Sequence, residues 1–151
     1  MQAAIPVLAE LFVEAWGPYY GPAGPGDAEH DLRSCCNRDE MPLALVALDT
    51  TQNILGTAAL KPHSLETHRH LNPWLAAMLV APDQRGKGIA SALITAIEDE
   101  ARRLGFASLY SDTASGSALL ERQGWQKLEA DIQTLREPAT LYCLDLKAAR
   151  R

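Results

Sequence analysis

Apolar residues fall at Ile5, Leu8, Ala9, Leu11, Phe12, Ala15 and Trp16, the spacing of one helical face. The stretch that follows, residues 17–26, has glycine or proline at seven of its ten positions, a composition that predicts neither helix nor central strand. Asp27 then offers an N-cap for a second helix running to about Asn37. From Leu43 the pattern changes. Residues 43–48 and 54–61 read as two strands of a meander joined by a polar turn at 49–53. Residues 62–73 form a polar loop that holds His63, His68 and His70. Residues 74–80 are apolar without alternation, which predicts a strand buried on both faces.

A helical period returns from Gly88 to Leu104. It aligns Ile89, Ala92, Leu93, Ala96, Ile97 and Leu104 in one stripe and leaves Glu98, Asp99, Glu100, Arg102 and Arg103 largely outside. Gly105 is the expected C-cap. Residues 107–112 read as a short strand, so strand, helix and strand predict a right-handed parallel crossover. A short helix from about Ser115 to Gln123 ends at Gly124, and strands at about 125–128 and 139–146 close the chain. Together these elements predict one α/β domain spanning residues 1–151, a mixed sheet of about six strands with about four helices.

Composition narrows the function. The 151 residues suffice for one domain with a real core. A net charge of −5 argues against a nucleic-acid partner, which needs a basic face. No apolar run approaches the ~20 residues of a membrane span, and the N-terminal residues lack the basic-then-apolar pattern of a secretory signal. Cys35, Cys36 and Cys143 are odd in number and lack metal-ligand spacing, which fits small thiols in a reducing cytoplasm.

The most specific chemistry lies where the apolar strand meets the long helix, in Val80-Ala81-Pro82-Asp83-Gln84-Arg85-Gly86-Lys87-Gly88-Ile89-Ala90. A strand that turns through Gly-x-Gly into a helix presents free backbone N–H groups and the positive end of the helix dipole, an arrangement suited to pyrophosphate. Arg85 and Lys87 add charge. The run is neither a Walker loop nor a dinucleotide fingerprint, because no Gly-Lys-Ser/Thr and no third glycine occur at the required places.

What is left, Arg-x-x-Gly-x-Ala at Arg85, Gly88 and Ala90, resembles the acyl-CoA pyrophosphate loop of the GCN5-related N-acetyltransferase (GNAT) family. The resemblance is strongest over residues 73–128, including Pro73-Trp74-Leu75-Ala76 before the loop and Gly124-Trp125 after it. It implies a mostly antiparallel sheet splayed at its centre, and acetyl-CoA as donor with no metal. The implied reaction is direct attack of a primary amine on the thioester in a ternary complex. Met78, Leu79 and Val80 would expose backbone groups to the pantetheine arm, and Arg85, Gly86, Lys87, Gly88, Ile89 and Ala90 would hold the pyrophosphate. The family often carries Tyr-Glu-x-x-Gly-Phe, with the tyrosine as general acid. Here the aligned run is Leu120-Glu121-Arg122-Gln123-Gly124-Trp125, and Leu120 cannot donate a proton.

Other candidates are weaker. Asp112, at the end of the strand beside the splay, could bind or deprotonate an ammonium group, with Ser117 as an alternative proton donor. Glu66 is a second carboxylate for the acceptor, and Tyr19 and Tyr20 could form an acceptor wall. His63, His68 and His70 could include a general base, though they read more simply as solvated loop side chains, and with Glu66 they follow no known zinc spacing. Trp16 reads as core. The expected partner is a small-molecule or peptide amine, with no nucleic acid and no membrane; its identity and the oligomeric state stay open, a homodimer among the options. A non-catalytic acyl-CoA sensor is the rival function, favoured by Leu120, and an ATP-binding protein using the same loop is a third.

Overall fold

The computed structural model describes residues 4–22, 24–114, 116–134 and 138–147. The meander is present as β1 (Leu43–Leu48), β2 (Ile54–Lys61) and β3 (Trp74–Val80), each antiparallel to the one before. Its first turn is held by Asp49, whose carboxylate accepts from the N–H groups of Thr51 and Asn53 at 2.8 and 2.9 Å. β4 (Ser108–Thr113) lies parallel to β3, and β6 (Ala139–Asp145) pairs antiparallel with both β4 and β5 (Gln126–Ile132). The sheet order is therefore β1-β2-β3-β4-β6-β5, mostly antiparallel.

Helices cover both faces. α4 (Ile89–Arg103) packs Leu93, Ile94 and Ile97 against Leu43, Ala58, Leu60 and Leu75 on one face. Each such side chain contributes about 1.5–3 kcal/mol when fully buried. On the other face α1 (Ile5–Ala15) and α3 (Ala28–Ser34) pack Ile5, Leu8, Phe12 and Leu32 around Leu79. α4 ends in a Schellman motif: Gly105, at φ +90°, bonds back to Arg102, and Phe106 to Ala101. Asp27 caps α3 by accepting from the His30 N–H at 3.1 Å.

Several expectations need correction. The glycine- and proline-rich stretch is not wholly irregular: Gly17–Tyr20 forms a one-turn helix, α2, with proline at its start, where the missing N–H costs nothing. α3 stops at Ser34 instead of near Asn37, because the Asn37 amide donates to the Ser34 and Pro42 carbonyls. β5 runs on to Ile132; residues 126–131 are all exposed, so polar composition hid an edge strand. The stripe of α4 is Leu93, Ile94, Ile97, Glu98 and Ala101, while Ala92 is exposed. Glu98 is buried, not outside, because its carboxylate accepts the Trp125 indole N–H at 3.1 Å. The short helix, α5, is Ser117–Arg122, and its expected start at Ser115 lies outside the described residues.

Candidate active site

β3 and β4 share one register pair, Trp74 with Tyr110, and the Tyr110 N–H donates to the Pro73 carbonyl at 3.0 Å. One step further on, the buried Ser111 hydroxyl donates to the Leu75 carbonyl at 3.0 Å. Beyond that clamp the two strands separate, and a cleft opens between them. Ala76, Ala77 and Met78 are consequently half-buried, which corrects the expectation of a strand covered on both faces along its length.

At the same place β3 bulges. Thr57 pairs with Leu79 but Ala59 pairs with Ala76, so Ala77 and Met78 together face Ala58. Ala77 adopts φ +53°, uncommon for a residue with a side chain. A bulge leaves the extra residue outside the ladder and redirects the strand. It also resets side-chain alternation: Leu75 belongs to the α4-side core and Ala77 to the α1-side core, after which Met78 and Val80 return to the α4 side.

β3 leads through a 3-10 turn, Pro82–Gln84, into Gly86 and Gly88 at φ +80° and +81°. These values explain both glycines, since other residues rarely take such conformations. Gly88 is the N-cap of α4, with no side-chain cap and no acidic residue in the first turn, so the helix dipole there is not offset by a neighbouring carboxylate. The Arg85 Nε donates to the Val80 carbonyl at 3.3 Å, and Lys87 reaches Gln84 at 3.1 Å. Of the nine residues expected to hold the donor, Met78, Leu79, Val80, Arg85 and Ala90 line the cleft. Gly86, Lys87, Gly88 and Ile89 form the turn beside it.

The cleft measures about 1310 Å³ and passes through the sheet. That exceeds the ~300–1,000 Å³ usual for one small ligand. Ala90, Ile94, Gly116 and Leu120 line it on the α4 side; Leu11, Glu14, Ala15 and Trp16 line it on the α1 side.

Asp112 lies on that cleft, where its carboxylate accepts the Ser64 hydroxyl at 2.9 Å. Leu120 lines it too, 3% exposed. Ser117 is not among the lining residues. Its hydroxyl bonds to Tyr142, whose own hydroxyl donates to Glu121; that bond holds the Tyr142 proton and pushes its pKa above the usual value. Tyr19 and Tyr20 do not line the cleft either. The Tyr20 hydroxyl donates to Asp31 at 2.6 Å, and its ring packs on Phe12 and edge-on to Tyr19. The side chain of Glu66 lies outside the described residues. His68 sits between the Thr67 hydroxyl and the Glu129 carboxylate, with His70 stacked on it. None of the three cysteines lines the cleft, and burial pushes the Cys35 and Cys143 thiols up, away from the nucleophilic thiolate. Among the described residues no group of three or more His, Cys, Asp or Glu side chains could hold a metal.

Glu14 is not among the sequence-predicted site residues; Trp16, expected in the core, does pack against the α1-side core through Phe12 and also lines the cleft. Leu11, Glu14 and Ala15 share one helical face at three- and four-residue spacing, so the signal was present but read only for its apolar members.

Comparisons with known proteins bear on the family and the fold. The chain matches the model of the acetyltransferase (GNAT) family over residues 6–125. Among solved structures it is similar to the aminoglycoside 6'-N-acetyltransferase from Enterococcus faecium, with a TM-score of 0.75 and 14% identity over 100% of this chain and 95% of that one. It is likewise similar to a ribosomal-protein-alanine N-acetyltransferase from Brucella melitensis (TM-score 0.72, 23% identity, 96% of each chain). A phosphinothricin acetyltransferase from Sinorhizobium meliloti, in complex with acetyl-CoA, gives a TM-score of 0.74 at 20% identity over 96% of this chain and 84% of that one. No curated protein matches by sequence.

Proposed function

Because the chain belongs to the acetyltransferase (GNAT) family, we propose that it transfers the acetyl group of acetyl-CoA to a primary amine by direct attack in a ternary complex. The observation that carries this is the convergence of two features on one cleft: the Ala77–Met78 bulge at the splay and the glycine turn at the start of α4. The pyrophosphate binds at the turn, through backbone N–H groups at a helix N-terminus. The pantetheine arm runs between β3 and β4, which brings the thioester to the bulge.

The amine enters from the α1 side as an ammonium ion and loses a proton to Asp112 or to water. Its nitrogen then bonds to the thioester carbonyl carbon. A backbone N–H in the Met78–Val80 stretch meets the oxyanion, a fixed donor that needs no reorganisation. Collapse breaks the carbon–sulfur bond, the nitrogen gives up its second proton to water, and the amide leaves together with CoA thiolate, which takes its proton from solvent. Leu120 cannot protonate the sulfur, and Ser117 is engaged by Tyr142, so the thiolate leaves without a side-chain acid. A cysteine-linked intermediate is disfavoured by the position and raised pKa values of Cys35 and Cys143.

Small-molecule and peptide amines both fit the proposal, since an aminoglycoside and a ribosomal-protein-alanine acetyltransferase share the fold. Three free cysteines suit a reducing compartment, the cytoplasm in this proposal. Among the described residues no helix is long and apolar enough to cross a membrane.

Initial-rate kinetics with acetyl-CoA and a panel of primary amines test the proposal. A ternary-complex reaction gives intersecting double-reciprocal lines and one CoA thiol per acetylated amine. The rival reading, an acyl-CoA sensor, draws on Leu120; it would be supported by tight acetyl-CoA binding with no turnover on any amine. Protection of the fold by ATP in preference to CoA would overturn the donor assignment itself.

A further inference from the structure

The cleft carries opposite charge at its two mouths. On the α4 side the lining cation is Arg85; on the α1 side stand Glu14 and Asp112. Strand alternation puts Asp112 on the α1 side. Leu109 belongs to the α4-side core, whereas Tyr110 packs with Leu65, Trp74 and Leu141, and Asp112, two residues on, shares its face. Lys61, a basic group near this face, stands over Cys35 and Asp31 in a separate recess and does not line the cleft.

The wall around these carboxylates is specific in another respect. α1 contributes Leu11 and Ala15 beside Glu14, and Trp16 lines the same mouth. The opposite wall supplies the hydroxyl-bearing Ser64. A carboxylate beside aliphatic groups and an aromatic side chain suits an alkylammonium ion, whose charge meets Glu14 while its methylenes cover the apolar surface. A substrate carboxylate at this mouth would meet two like charges and no lining cation among the described residues.

We propose that this mouth selects an aliphatic amine bearing a second cationic group and lacking a carboxylate, a diamine or longer polyamine. One ammonium group gives up its proton and is acetylated at the splay beside Asp112; the other is held by Glu14. The inference rests on the acetyl-transfer function proposed above and narrows its acceptor.

Three matched compounds test it. 1,5-Diaminopentane, lysine and pentylamine differ by one carboxylate or one ammonium group. Calorimetry on the CoA-saturated protein reads binding, and acetyl-CoA turnover reads reaction separately. The diamine should bind about two- to fivefold more tightly than either analogue, the range expected of one partly solvated charge contact. Glu14→Gln should shrink the ratio of diamine to pentylamine toward unity. Glu14 is exposed, so a melting curve suffices to check folding.

Lysine binding as well as the diamine, no diamine binding at all, or a ratio unchanged in Glu14→Gln would overturn the inference. Selective diamine binding without turnover would instead leave it standing and count against acetyl transfer. Turnover of other amines without diamine preference would do the reverse.

Discussion

Gly88→Ala and Gly105→Ala are a matched pair of perturbations that separate donor binding from backbone strain. Both glycines hold strongly positive φ, +81° and +90°, and a Cβ built on either meets nothing within 4 Å. Neither alanine therefore clashes within the protein. Each forces an L-residue into left-handed backbone, at a cost of about 1–2 kcal/mol. For a chain of this size that lowers Tm by roughly 2–8 °C. The two sites differ in what they face. Gly105 closes the far end of α4, whereas Gly88 caps the end where the pyrophosphate is proposed to meet backbone N–H groups. An added methyl there keeps the phosphate oxygens from the amides and loses charge-assisted hydrogen bonds worth about 1.5–3 kcal/mol. Calorimetry should show CoA affinity falling about ten- to hundredfold in Gly88→Ala and staying near wild type in Gly105→Ala. Equal CoA affinity in the two folded variants would refute the placement of the phosphates at this turn.

Arg85→Ala should weaken CoA binding by about fivefold, less than Gly88→Ala, because a partly solvated side-chain charge contributes about 1 kcal/mol; calorimetry at two salt concentrations checks it. Glu98→Ala should destabilise the fold by about 1–3 kcal/mol in denaturant melts, since it strips the acceptor from the buried Trp125 indole, with CoA affinity in the folded fraction unchanged. Asp49 gives a signed pH effect. Hydrogen bonds from the Asn53 and Thr51 groups lower its pKa to about 2 from 3.8, so its contribution is present above the unfolded value and is lost as pH falls through about 2. Asp49→Asn should remove that part of the acid limb, read as Tm against pH for both proteins.

The glycine turn and the helix proposed to hold the donor were legible because their signals are local. Glycines at a strand-to-helix junction and a three-to-four apolar period report on neighbours in sequence, and the structure has both where the sequence puts them. The acceptor half depends on contacts across long separations. Nothing near Ala77 announces a bulge; it arises from pairing with β2, about twenty residues earlier. Glu98 looked like a solvated helix residue until Trp125, 27 positions on, supplied its partner. The link from Asp112 to Ser64 spans 48 positions. The aromatic case is different. Phe12, Trp16 and Tyr20 recur every four residues across the helix break, a period that tied Tyr20 to α1, and the Gly/Pro content masked it.

A crystal structure with CoA bound is the most direct test of the mechanism. The sulfur should lie between β3 and β4, within reach of the Ala77–Met78 bulge, with the pyrophosphate at the backbone of residues 86–90 and Leu120 beside the sulfur. CoA bound elsewhere, or a sulfur directed away from the splay and toward one of the cysteines, would contradict direct attack in this cleft.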